Sequence, residues 1–285
     1  MQVRQMQQNH MAFGLRQRRT GGKRPAMTSG RVLPLQKVHN FRDYGDYPIV
    51  GGGRLRGGLL YRSAQHSGAT GEDLAAIGSL GLATVIDFRG DEERRRFPCP
   101  RPENFAADVM FHDGETGQLP PHLQAELAGL DAAGMRAAMA ELYREFPFRR
   151  TLVGVMRIYL DALANRDGAS LVHCLAGKDR TGMAVAVFHR LVGLHPDDVM
   201  EDYLLTNSVG DQDARIAAGA PSIRERYGEM SDGAMRVIMS VAPEYLENAF
   251  AAIDERFGSI DRFAEEQLGV DPARRDALKA RYVAA

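Results

Sequence analysis

The chain has 285 residues, 44 % of them hydrophobic, with two cysteines and a formal net charge of -1. These values exclude a wholly disordered chain and a disulfide-built scaffold, and no apolar run approaches the roughly 18 residues of a membrane-spanning helix. Charge is unevenly placed: residues 1–31 hold seven of the 36 Lys/Arg and none of the 37 Asp/Glu, so the rest is acidic, which argues against a nucleic-acid binder.

Residues 1–31 are rich in Gln, Arg and Gly and have no period. They are expected to form a disordered basic tail, the alternative being a weak contact with an anionic membrane surface. No charged-then-apolar segment ends at a small-residue cleavage site, so the expected location is the cytoplasm, or export without a recognisable signal. Residues 32–285 read as a single domain, without repeats or a clear linker.

Gly-rich residues 45–58 predict a loop or tight hairpin, and Leu59, Leu60 and Tyr61 a short strand ending at Arg62-Ser63. A helix follows from Thr70, a suitable N-cap with Asp73 three positions on, and with Leu74, Ile77 and Leu80 on one face. Ala83–Phe88 is a short apolar run and predicts a buried strand. Residues 97–122 read as a long polar connection with a strand near 105–111. Helices are predicted over Ala132–Phe146 and, on a clean 3.6-residue stripe, over Arg150–Asn165. The strand Ala169–His173 and a helix over Thr181–Leu191 come next. A helix begins at Pro196, with acids in its first turn. Residues 209–235 allow a short helix or a mobile segment. Helices over Pro243–Phe257 and Phe263–Leu268 and a stretch from Pro272 complete the chain. The simplest account is one α/β domain.

The most informative segment is Val172-His173-Cys174-Leu175-Ala176-Gly177-Lys178-Asp179-Arg180-Thr181-Gly182, between a predicted buried strand and an apolar helix. A turn feeding a helix N-terminus gathers backbone N–H groups and suits an anion. Such a place lowers a cysteine pKa to roughly 4–7, which makes Cys174 a candidate nucleophile. Arg180 supplies a planar fork for two phosphoryl oxygens. The five residues between, Leu175 to Asp179, are the length of a loop around one phosphate. Thr181 carries a hydroxyl just past that loop, able to reach the sulfur. The ordinary alternative is a buried core cysteine followed by a solvated charged turn. The P-loop nucleotide-binding pattern is absent, because Gly177-Lys178 is followed by Asp, and Gly51-Gly52-Gly53 lacks dinucleotide-binding spacing.

H-C-L-A-G-K-D-R-T-G resembles the signature of the atypical bacterial protein tyrosine phosphatases, which are similar to dual-specificity and lipid phosphatases. The resemblance extends to Asn40-Phe41-Arg42-Asp43, Arg56-Gly57-Gly58-Leu59-Leu60-Tyr61-Arg62-Ser63, Val85-Ile86-Asp87-Phe88-Arg89 and Val241-Ala-Pro-Glu-Tyr-Leu, covering most of 38–282. It implies a three-layer α/β fold with a mainly parallel central sheet flanked by helices. It also implies one catalytic domain over 32–285, with a helical lid at 120–147 or 209–235. Arg42, Asp43 or Arg62 would wall the pocket on this resemblance alone.

Hydrolysis of a phosphate monoester needs a proton donor for the leaving oxygen and then a base for water. Asp179, inside the loop, is the first candidate and Asp87, at a strand end, the second; each has an alternative reading as a brace, for Lys178 or Arg180 and for Arg89. Asp108 and Asp113 are outside choices. His173 is expected to fix the loop and favour the thiolate. Lys178 favours substrates with more than one negative charge, or else neutralises Asp179. No metal or cofactor is implied. The expected activity is phosphotyrosine hydrolysis in proteins through a cysteinyl-phosphate. The alternatives are a dual-specificity or phosphoinositide phosphatase on the same site, and a catalytically silent phosphate-binding module. Cys99 is read as a spare thiol or an oxidation partner for Cys174.

Overall fold

The computed structural model describes residues 30–116, 127 and 129–285. The tail expected over residues 1–31 falls almost entirely outside the described residues, as does the first part of the lid candidate at 120–147. Among the described residues no helix is long and apolar enough to cross a membrane.

Four short segments form the middle of the molecule: β3 (Leu60–Ser63), β4 (Leu82–Asp87), β5 (Asp108–Phe111) and β6 (Ala169–His173). With the two-residue β1 (Arg42–Asp43) they make a sheet in the order β1-β3-β6-β4-β5, parallel except at β1. This is the expected α/β fold: a mostly parallel sheet between helices.

Side chains alternate between the faces of a strand, and β6 shows the consequence. Leu171 packs with Val38, Phe41, Ile77 and Val85 under α1 (Gly71–Gly78), whereas Val172 joins the larger core on the opposite face. That core is built on α4 (Arg150–Asn165) and α5 (Asp179–Val192), which follow α2 (Asp91–Arg96) and α3 (Ala132–Glu145) in the chain. The predicted N-cap of α1 is present as a capping box, Thr70 accepting from the Asp73 N–H and the Asp73 carboxylate accepting from the Thr70 N–H. Beyond α5 come α6 (Pro196–Leu204), α7 (Gln212–Tyr227), α8 (Asp232–Ile238), α9 (Pro243–Phe257), α10 (Ile260–Leu268) and α11 (Pro272–Tyr282). Arg31–Ala285 packs as one compact unit.

Three differences from the sequence expectations have physical reasons. The 45–58 segment forms the expected hairpin, turning at 49–53 with Asp46 and Tyr47 bonded to Leu55, but its second arm, β2 (Arg54–Leu55), also pairs with β7 (Val283–Ala284), at the far end of the chain. No local pattern encodes that contact. The segment 209–235 is two helices, α7 and α8, each N-capped by a polar side chain, Asp211 and Ser231. The unexpected α2 has only six residues, too few to show a period, yet Asp91, Glu92 and Glu93 begin it and Arg94, Arg95 and Arg96 end it, matching the helix dipole.

The register places the chemistry. Ser63 and Asp87 both lie opposite His173 across the central strand. The carboxyl ends of three parallel strands therefore meet where Cys174 begins its loop, the position at which open α/β sheets bind ligands.

The core also makes stability sensitive to acid. Burial holds the imidazoles of His173 and His189 at about 4, below the ordinary 6.5, and moves His66 the same way. The unfolded chain therefore takes up these protons first, and stability present above pH 6.5 is lost as pH falls toward 4. Asp87, and more strongly Asp202, are held low despite burial; their contribution is present above the ordinary carboxylate range and is lost below it. Urea titrations should give a midpoint near constant from pH 8 to 7 that drops continuously from pH 6.5 to 4. A flat midpoint over that lower range would contradict the neutral buried histidines.

Candidate active site

β6 is buried along its whole length and points the chain at a loop, residues 174–178, that leads into the N-terminus of α5. Gly177 is in the left-handed region at φ 66°, and a Cβ there would lie 2.4 Å from the Ser63 carbonyl oxygen. Only glycine fits this close passage. The loop is held from behind. The Gly177 carbonyl accepts from Asn40 Nδ2 at 2.7 Å and from Arg62 Nη2 at 3.0 Å. Arg62 donates to the Asp202 carboxylate at 2.7 Å, and Asp202 also takes Arg42 at 3.3 Å. Burial alone would raise the Asp202 pKa, but the two arginines hold it well below the usual carboxylate range. Arg42 and Arg62 are fully buried and do not line the cavity. The resemblance put these arginines in the pocket wall; they belong instead to the loop's foundation.

Cys174 is 2 % exposed, carries a free thiol and lines a cavity of about 850 Å³. Leu175, Ala176, Lys178, Asp179 and Arg180 line it too. Arg180 is the second residue of α5 rather than a residue ahead of it, so the helix begins two positions earlier than its apolar pattern indicates. Its guanidinium meets Glu93 fork to fork, Nη1 to Oε2 at 2.5 Å and Nη2 to Oε1 at 3.0 Å. Nη1 also donates to Thr116 Oγ1 at 2.8 Å and the Phe88 carbonyl at 3.2 Å. The Nε–H and one Nη2 hydrogen have no partner among the described residues. Burial opposes the Arg180 charge, but Glu93 and then Cys174 raise its pKa, so it stays cationic. Glu93 is itself anchored by the Gly90 N–H at the start of α2.

The candidate acids differ sharply. Asp179 faces the cavity and accepts from Tyr143 Oη at 2.6 Å and Lys178 Nζ at 2.8 Å. Tyr203 donates to Tyr143 behind it at 2.9 Å, and burial followed by Asp179 keeps the Tyr143 hydroxyl protonated, its pKa far above 10. Asp87 does not line the cavity. Its two oxygens take Arg89 Nε at 2.9 and 3.1 Å and Nη2 at 2.7 Å, and it is 2 % exposed. Asp108 pairs with Arg166 at the surface, and neither it nor Asp113 reaches the cavity.

The His173 ring is fully buried, stacks on His66 at 5.1 Å and has Nε2 3.7 Å from Asp87; neither ring nitrogen has a hydrogen-bond partner among the described residues. Thr181 Oγ1 is also buried without a partner among them. Lys178 Nζ donates to Asp179 and to the Ser240 carbonyl at 3.3 Å. Cys99 is partly buried and accepts the His66 N–H at 3.3 Å.

Over the loop, α3 supplies Met139, Leu142 and Tyr143, and α7 supplies Arg215, Gly219 and Ile223. Both segments considered for a lid thus contribute to the cavity wall. Sequence reasoning missed Glu93, Tyr143 and Arg215. Glu93 had one local signal, its place three residues after Gly90 in a charge-graded turn; the other two have none.

Residues 33–284 match the family model described as the tyrosine phosphatase family. A Cupriavidus necator protein named for tyrosine-protein phosphatase activity is 32 % identical over 257 residues, covering 88 % of each chain. The triple specificity protein phosphatase PtpB of Mycobacterium tuberculosis is 30 % identical, over 82 % of this chain and 93 % of its own. A tyrosine-protein phosphatase of Nostoc commune is 23 % identical over 77 % of this chain and 72 % of its own.

Proposed function

Since the chain belongs to the tyrosine phosphatase family, we propose that it hydrolyses phosphate monoesters, chiefly protein phosphotyrosine, through a cysteinyl-phosphate on Cys174. One observation carries this reading. A buried thiol and a buried guanidinium fixed fork to fork by Glu93 share a cavity at the carboxyl ends of three parallel strands. Nothing about a core cysteine would require a clamped arginine beside it.

Arg180 and the N–H groups at the start of α5 hold the phosphoryl oxygens. Cys174 Sγ attacks phosphorus, the S–P bond forms, and the P–O bond to the tyrosine breaks. Asp179 gives its proton to the departing oxygen. In the second step Asp179 takes a proton from water, the water oxygen bonds to phosphorus, and the thiolate leaves with the S–P electron pair. Arg180 follows the charge on the equatorial oxygens throughout. Thr181 Oγ1, which has no other partner among the described residues, is suited to donate to the departing sulfur. Asp87 acts through Arg89 as a brace for the strand end, and His173 stiffens the base of the loop.

Two features bear on substrate. Met139, Leu142, Phe146 and Ile223 give the cavity an apolar side suited to an aromatic ring. The Lys178 ammonium is already engaged by Asp179, which favours its neutralising role over recognition of extra phosphates. A broader specificity, in line with the name of the Mycobacterium tuberculosis relative, is the second reading. Phosphate release without added metal from phosphotyrosine, phosphoserine and phosphothreonine peptides and from phosphoinositides separates the two. Dominant phosphotyrosine turnover is expected; equal or faster phosphoinositide turnover would replace this reading with the second.

Asp179→Asn should lower kcat about 10²–10³-fold on an aryl phosphate with a poor leaving group, where general-acid catalysis matters most. The loss should shrink with a good leaving group. Asp87→Asn should show no such dependence and should instead lower thermal stability. If Asp179→Asn left the slow substrate's rate unchanged, the proton donor would have to be sought elsewhere.

A further inference from the structure

Arg215, on α7, is 4 % exposed and lines the cavity that holds Cys174. Its Nη1 donates to the Thr206 carbonyl and its Nη2 to the Met239 carbonyl at 3.4 Å; its Nε is buried without a partner among the described residues. Among the described residues no carboxylate lies within ion-pair distance of it. Burial works against its charge, with Asp179 the compensating acid at longer range. A buried guanidinium held only by carbonyls is costly unless an anion joins it.

Two more basic side chains share this part of the wall, Lys37 and His39. Burial and then the cations Arg215 and Lys37 hold the His39 imidazole below its ordinary value, against Asp211. Four of the carboxylates lining the cavity are already engaged: Glu93 by Arg180, Glu225 by Arg96, Asp179 by Lys178, and Glu115 by the Glu92 N–H. Among the described residues, none of these four carboxylates forms an ion pair with Arg215 or Lys37.

We propose that Arg215, with Lys37 and His39, forms a second anion subsite that takes an acidic group next to the phosphotyrosine of a peptide substrate. This rests on the phosphatase reading above. A peptide is favoured over a sugar-like polyphosphate because the same cavity is also lined by Met139, Leu142, Phe146 and Ile223, surface to offer an aromatic ring, not a hydroxylated one. The acidic group is a carboxylate or a second phosphate, which present the same bidentate oxygen pair to a guanidinium.

The test uses two phosphotyrosine peptides that differ only in Asp or Asn beside the phosphotyrosine. Both are measured as kcat/KM on the wild-type chain and as Kd on the Cys174→Ser chain. The wild type should favour the Asp peptide by roughly tenfold, the scale of one charge-assisted contact. Arg215→Gln should bring the ratio close to one, and Arg215→Lys should keep part of it. Lys37→Gln, at an exposed position, should reduce the ratio and serves should Arg215 variants fold poorly. Equal use of the two peptides by the wild type, or an unchanged ratio in Arg215→Gln, would overturn the subsite. An Arg215-dependent preference for an inositol bisphosphate over a monophosphate, with the peptides treated alike, would overturn the peptide assignment. Turnover of both peptides without an Arg215 effect leaves the phosphatase reading standing. No turnover and no binding to Cys174→Ser would bring down both.

Discussion

Cys174→Ser should abolish phosphate release while phosphate still binds. The substitution replaces one sulfur by oxygen in a site that is otherwise unaltered. Gly177 keeps its position against Ser63, and Asn40 and Arg62 still hold the loop from behind. The N–H groups and Arg180 therefore still meet an anion. What is lost is the nucleophile, since a hydroxyl at the same place keeps its proton at neutral pH and attacks poorly. Losing the nucleophile of a covalent enzyme lowers kcat on the order of 10⁴–10⁶-fold. Titration of the variant with inorganic phosphate should give a Kd within a few-fold of the wild type's. Turnover persisting in Cys174→Ser would remove the covalent mechanism, and turnover lost together with phosphate binding would point to a disrupted loop.

The second large effect is expected at Arg180. Arg180→Lys keeps a positive charge but cannot present a fork to Glu93 on one side and to phosphoryl oxygens on the other. Its kcat should fall about 10²–10³-fold, the scale for removing a donor that acts on transition-state charge. KM should also rise. Arg180→Ala should lose more, and for a separate reason: the buried Glu93 carboxylate loses its bidentate contact with the guanidinium, which costs about 3–5 kcal/mol of stability. The two variants separate catalysis from folding. Arg180→Lys measured below its melting transition reports on the clamp, and the difference in melting between Lys and Ala reports on the buried pair. Near-normal kcat in a folded Arg180→Lys variant would show that a bidentate fork is not needed.

Much of this was legible in the sequence, for identifiable reasons. β6 is visible as a short apolar run and α5 as an apolar helix, and they bracket the Cys174 loop. The capping box of α1 is a local code, Thr70 and Asp73 three residues apart, and it formed as the code requires. The apolar pattern places the start of α5 two residues late because Asp179 and Arg180 are polar and belong to the helix by geometry, not by pattern. Contacts made by distant partners could not be read at all. Glu93 lies 87 residues from Arg180, Tyr143 lies 36 from Asp179, and Asp202 lies 140 from Arg62. Each is set by how helices pack over the sheet, which no single segment specifies. The arginines near the amino end show the same limit. The family resemblance alone implies a pocket wall, and only packing against Asp202 turns Arg42 and Arg62 into supports beneath the loop.

Asp87 shows how environment decides between equal candidates. Two aspartates near a strand end and a loop have the same intrinsic chemistry. One is enclosed by Arg89 on both oxygens, and burial is overcome by His173 and Arg89 to hold it at about 2. The other opens onto the cavity and is held by Tyr143 and Lys178. The first can hold its neighbours in place; only the second can meet a substrate oxygen.

The covalent intermediate is the central claim, and it is tested by acid quenching during steady-state turnover of a phosphotyrosine peptide, followed by mass spectrometry of the protein's own peptides. A fragment carrying Cys174 heavier by one phosphoryl group is expected in the wild type, and in Asp179→Asn it should accumulate most with an aryl phosphate of good leaving group, where the first step is spared and the second lacks its base. Sustained turnover with Cys174 never modified, in the wild type and in that variant, would contradict it.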